Sequence, residues 1–186
     1  MPDSTSNTDA APITNRDIAS VPARNPEIAL LLAEMEHGTR KLRGQLGELD
    51  EDALIWQPYP NAHSIGAILI HIAGCEAGWL HEVAAGISLN GDPEAKLMGG
   101  QPIDQFAEIW PTPPRKPLSW YYEQHDAIRK QTIELLSLME DSTEQKPITW
   151  SPKNHVSIRW ILHHVTEHEA YHMGQAVLLS LIRHKL

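Results

Sequence analysis

With one cysteine, Cys75, the chain cannot close an intramolecular disulfide, and it suits a reducing cytoplasm. Basic residues are scarce beside acidic ones: 15 Lys and Arg against 24 Asp and Glu leave a formal charge of -9. That balance argues against nonspecific nucleic-acid binding as the main task. Eleven histidines qualify it, because local charge can change considerably between about pH 5 and 8. No apolar run approaches the length of a membrane span, and Met1 to Val21 has neither the positive start nor the apolar stretch of a signal peptide. There is also no convincing strand alternation and no internal repeat. The expectation is a cytoplasmic protein with a small-molecule substrate and no nucleic-acid or membrane partner. Its 186 residues are about one domain's worth, enough for a core without disulfides.

Residues 1–25 are rich in Ser, Thr, Asp, Ala and Pro and read as a disordered tail, leaving 26–186 as the folded domain. Asn25-Pro26-Glu27 has the form of an N-cap, a first-turn proline and a first-turn acid. Ile28, Leu31, Met35, Leu42, Leu46 and Leu49 then continue at helical spacing, predicting a first helix to about Asp50. A second helix opens between Asn61 and Ser64 and runs to about Ala85, with Gly86 as its stop. From Ile87 to Pro117 the pattern dissolves into prolines and glycines, with one short helical piece expected over Ile103 to Trp110. A connector of about 30 residues is too long for a tight hairpin and implies a crossover or a lid. Leu118, Tyr121, His125, Ile128, Thr132, Leu135 and Met139 mark a third helix, and a loop over Asp141 to Ser157 leads to the fourth, with Asn154 or Ser157 as its cap. The fold class expected is all-α: a four-helix bundle with a long Pro/Gly-rich connector between helices two and three.

The fourth helix carries the main anomaly. Its apolar row, Ile158, Ile161, Val165, His168, His172, Gln175, Leu179 and Ile182, is polar at three consecutive steps. Unpaired, each such group in a core costs roughly 1 to 3 kcal/mol. Residues at i and i+4 share a helix face and can converge on one ion, so His168 and His172 are either half a metal site or hydrogen-bonded core histidines. The best third candidate from another helix is His71, on the flank of the row Ile65, Ile68, Ile72, Cys75 and Trp79. Cys75, one turn on, is either a soft fourth ligand or nucleophile, or a small buried apolar residue.

The segments Ser64-Ile65-Gly66-Ala67-Ile68-Leu69-Ile70-His71-Ile72-Ala73-Gly74-Cys75-Glu76-Ala77-Gly78-Trp79-Leu80 and Ile161-Leu162-His163-His164-Val165-Thr166-Glu167-His168-Glu169-Ala170-Tyr171-His172-Met173-Gly174-Gln175 together resemble the DinB-like superfamily of metal-binding four-helix bundles. The resemblance spans roughly Ile28 to Leu181. It implies that His71, His168 and His172 bind a divalent metal, zinc or nickel. It also implies relatives that include thiol-dependent transferases and isomerases using mycothiol or bacillithiol, and a possible homodimer. Three neutral imidazoles leave an ion its charge and an open position, as in catalytic sites. Such an ion can lower the pKa of a bound water or ionise an incoming thiol, so a low-molecular-weight thiol is a further expected cofactor. The function expected is metal-dependent thiol transfer or hydrolysis on a small molecule; the alternative is a noncatalytic metal-dependent ligand-binding or stress-response protein.

Two further histidines are the catalytic candidates. His164, one turn before His168, is a proton carrier or substitute ligand, or else a solvated rim residue. His125, at a core step of helix three, contacts the site or makes a structural hydrogen bond across the bundle. Glu167 and Glu169 are turned about 100° from His168 and are expected on a solvated face. Trp79, Trp120, Tyr121, Tyr122 and Trp160 line a pocket or fill the core. Gln175 is expected to satisfy a carbonyl instead of orienting a ligand.

Overall fold

A computed structural model describes residues 17–104 and 106–185. The chain is mostly helical: α1 (Pro26–Leu46), α2 (Glu51–Ile55), α3 (Ile65–Glu76) with a π-helical continuation over Ala77–Ala84, α4 (Pro93–Leu97), α5 (Leu118–Leu136) and α6 (Ile158–Arg183). A two-stranded antiparallel hairpin, β1 (Gln145–Ile148) and β2 (Ser151–Ser157), precedes α6. α1 packs on α6, and α3 packs on both α5 and α6, which gives bundle-like contacts among the four long segments. No helix among the described residues is long and apolar enough to cross a membrane.

Local signals set most boundaries. The Asn25 side chain accepts from the Glu27 and Ile28 amides ahead of Pro26, and Ser64 and Ser157 cap α3 and α6 through their hydroxyls. The first helix stops earlier than the leucine spacing predicts. Gly47 takes φ +68°, the chain turns out, and Asp50 caps the separate short helix α2. The first sixteen residues of the expected tail lie outside the described residues. Nearer α1, the Val21 and Arg24 amides donate to the Ala29 and Ser137 carbonyls.

Three expectations need correcting. The described residues of the segment Ile103 to Trp110 are not helical: Asp104 and Ile109 pair in an isolated bridge, and α4 forms further upstream instead. Asp92-Pro93-Glu94 starts that helix with the same cap, proline and acid found at α1. The loop over Asp141 to Ser157 holds the hairpin, so the fold is not purely helical. Its strands escape a periodicity search because they are mostly exposed, carry Pro147 and Pro152, and change register after Pro147.

α3 is the central element. Almost every residue from Ile65 to Glu76 is buried, where the sequence row implied one buried face. Two apolar clusters fill the bundle. One gathers Leu46, Leu54, Ile68, Ile72, Tyr121 and Met173; the other gathers Met35, Leu80, Leu136, Ile161 and Val165. Along each long helix the residues between the clusters are polar: Thr39 on α1, Glu76 on α3, His125, Arg129 and Thr132 on α5, and Glu169 on α6.

Candidate metal centre

α3 and α6 cross where His71 faces His168 and His172. One ring nitrogen from each of these three residues lies within 4.8 Å of the other two, and His71 Nε2 is 3.1 Å from His168 Nε2. The flank position read for His71 becomes interior because α3 is enclosed on all sides; His71 is 2% exposed.

Hydrogen bonds aim the imidazoles. His71 Nδ1 donates to Glu94 Oε2 at 2.6 Å, and His172 Nδ1 donates to Gln175 Oε1 at 2.8 Å. A neutral imidazole with its proton on Nδ1 presents a lone pair at Nε2, so both rings turn an acceptor toward the shared point. Burial, then the neighbouring imidazoles His172 and His71, pushes His168 down to about 3. Burial followed by the charge of His71 pushes His172 down to about 4. Near neutral pH these are uncharged nitrogen donors, the form in which imidazole binds a first-row divalent ion. The residues therefore fit a metal.

Glu94 was not read from the sequence. It belongs to α4 in the connector, which folds against α3 so closely that a Cβ on Gly74 would lie 2.8 Å from the Glu94 Cβ. The signal that would have found α4 is the Asp92-Pro93-Glu94 start. Gln175 orients His172, which corrects the expectation that it satisfies a carbonyl. From the same connector, Trp110 meets His71 edge-on at 5.2 Å between ring centres.

The remaining candidates separate. His164 stacks on Trp160, with ring centres 4.9 Å apart and planes 9° from parallel, and lies 6.1 Å from the His168 ring. Burial lowers its pKa. His125 is away from the triad: its Nε2 donates to Glu76 Oε2 at 2.9 Å and its Nδ1 faces Arg43 Nη2 at 3.3 Å. Cys75 is not part of the nitrogen cluster. Burial, with Glu94 and Glu76 nearby, pushes its thiol up to about 12, so it stays protonated. Glu167 is exposed as expected, but Glu169 is buried and accepts from Arg129 Nη2 at 3.1 Å and Thr39 Oγ1 at 2.6 Å. The solvated-face reading fails for Glu169 because α6 is buried on a second side, against α1, where the long Arg129 side chain of α5 reaches it. Of the aromatics, Tyr121 is core, while Trp79 lines a cleft beside His71 and His168.

That cleft encloses about 410 Å³, and a second of about 340 Å³ reaches His172 and Gln175. The triad is thus open to two approaches. Comparison with curated proteins gives no match. Residues 30–183, which include all three histidines, match the family model described as mycothiol-S-transferase. The chain therefore belongs to the mycothiol-S-transferase family, within the DinB-like superfamily of metal-binding proteins.

Proposed function

We propose that this protein transfers the sulfur of mycothiol to a small electrophile, with His71, His168 and His172 as the ligands of a zinc or nickel ion. The observation that carries this reading is the convergence of three imidazoles, two of them aimed by Glu94 and Gln175, at a point open to two clefts, in a chain of this family. The ion, when bound, supplies positive charge that favours the thiolate form of an incoming thiol. Glu94 and Gln175 hold the rings so that Nε2 faces inward. His164 lines the same cleft as His168 and, neutral through burial, is the candidate acceptor of the thiol proton. His125 is engaged by Glu76 and serves the packing of the bundle.

The test pairs elemental analysis with an assay. Protein purified without chelator is expected to hold near-stoichiometric metal and to conjugate mycothiol to a haloalkyl electrophile. His71→Ala, His168→Ala and His172→Ala are each expected to lose both properties. Conjugation that persists in His172→Ala would overturn the assignment. Metal-dependent ester or amide cleavage without conjugation would favour the hydrolytic reading, and stoichiometric metal with no turnover the noncatalytic one.

A further inference from the structure

The two clefts share no lining residue, yet each reaches the triad, and their chemistry differs. The larger is bounded by His71, His168, His164, Trp79, Trp150 and Glu94. Its acids already have partners: Glu94 accepts from His71, and Asp92 accepts from the Glu94 amide. What it leaves free is aromatic surface. Trp79 meets Trp150, Trp160 and His164 edge-on at 4.9, 5.6 and 5.0 Å between ring centres. Trp150 projects from the turn between β1 and β2 and remains 61% exposed, and Trp160 remains 43% exposed. Gly78, on the helical wall, has nothing within 4 Å of the place a Cβ would occupy. The indoles of Trp79 and Trp150 beside a wall left open at Gly78 favour a flat apolar ligand, whose burial removes both surfaces from water.

The smaller cleft is bounded by His172, Gln175, Tyr59, Asn61, Glu108 and Tyr171. Among the described residues the side chains of Tyr59, Asn61, Glu108 and Tyr171 make no hydrogen bond, and both tyrosines are largely exposed. Free hydroxyl, amide and carboxylate groups beside aromatic faces suit a hydroxyl-rich ligand.

Building on the thiol-transfer reading, we propose a division of labour: the tryptophan cleft seats an electrophile with a planar aromatic body, and the tyrosine cleft seats the hydroxylated body of the thiol. Sulfur and electrophilic carbon then meet beside the triad. For an arylmethyl halide the thiol S–H bond and the carbon–halogen bond break and one C–S bond forms. The halide leaves with the electron pair of its bond, and the thiol proton passes to His164 and from there to water.

Two readouts test this. The first is binding of an unreactive arylmethyl alcohol, without thiol, followed by calorimetry and by quenching of tryptophan fluorescence. Trp150→Ala is expected to weaken it about tenfold, as suits the loss of one aromatic face, and Trp150→Phe to restore most of it. Tyr171→Ala is expected to leave it unchanged. The second is steady-state kinetics: Trp150→Ala raises KM for the arylmethyl halide and not for mycothiol, while Tyr171→Ala does the reverse. Unchanged aryl binding in Trp150→Ala, or a shift confined to the thiol KM, would overturn the division. Aryl binding that depends on Trp150, in a protein that conjugates no thiol, would sink the transfer reading and leave the aromatic cleft standing. Conjugation with aryl binding indifferent to Trp150 would do the opposite.

Discussion

The imidazole of His71 has two nitrogens with different partners, and the difference sets its chemistry. Nδ1 is fixed by the Glu94 carboxylate, which leaves Nε2 as the atom facing His168 and His172. A carboxylate in that position raises ligand basicity and locks the ring, and its loss typically lowers metal affinity about 10- to 100-fold. Glu94→Ala is therefore expected to weaken zinc binding by that factor, as read by competition with a chromogenic chelator, while His71 itself remains in place. An affinity equal to that of the parent would show that Glu94 does no more than pack against Gly74. His168 and His172 were legible because four-residue spacing on a helix forces two side chains onto one face. Glu94 was not, since only the docking of the connector brings it 23 residues back along the chain to His71.

Between the two apolar clusters, the four long helices are joined by charges. Arg129 on α5 donates through Nε and Nη2 to the two Glu76 oxygens, both at 2.9 Å, and through Nη2 to Glu169 at 3.1 Å. Thr132 and His125 complete the shell of Glu76. Burial alone would raise the Glu76 pKa, but the charge of Arg129 and the hydrogen bonds from His125 and Arg129 outweigh it and hold the carboxyl well below the usual carboxylate range. Since the folded value lies below the ordinary 4.5, its stabilisation is present above about pH 4.5 and is lost as pH falls toward the folded value. Glu76→Gln is expected to cost about 3 kcal/mol near neutral pH, because it leaves Arg129 with less countercharge, and the gap to the parent should narrow below about pH 4.5. Urea unfolding at several pH values measures both; a gap independent of pH would refute the ionised assignment. The helices themselves follow from caps and spacing. Which face of α6 held Glu169 did not, because two buried sides on one helix blur the amphipathic pattern. The hairpin was equally hidden, with exposed, proline-bearing strands that alternate too little to be seen.

Taken as one molecule, the fold brings its site together from distant parts of the chain, so a ligand that bridges them adds to stability. A metal held at about 100 times its dissociation constant stabilises the folded state by about 2.7 kcal/mol. For a chain of this size that corresponds to about 5 to 10 °C in Tm. Chelation is expected to lower Tm by that amount in the parent and by nothing in His168→Ala, as scanning calorimetry can show. An equal shift in both would place the ion elsewhere. One consequence concerns connectivity. His71 and His168 stand 97 positions apart, and the loop they enclose holds the connector, α5 and the hairpin. An ion held as proposed between α3 and α6 would close that loop as a crosslink does, in a chain whose lone cysteine offers no intramolecular disulfide. A protease cut in the connector would then nick the backbone without freeing the two pieces, whose coordinate bonds would have to break before they could part.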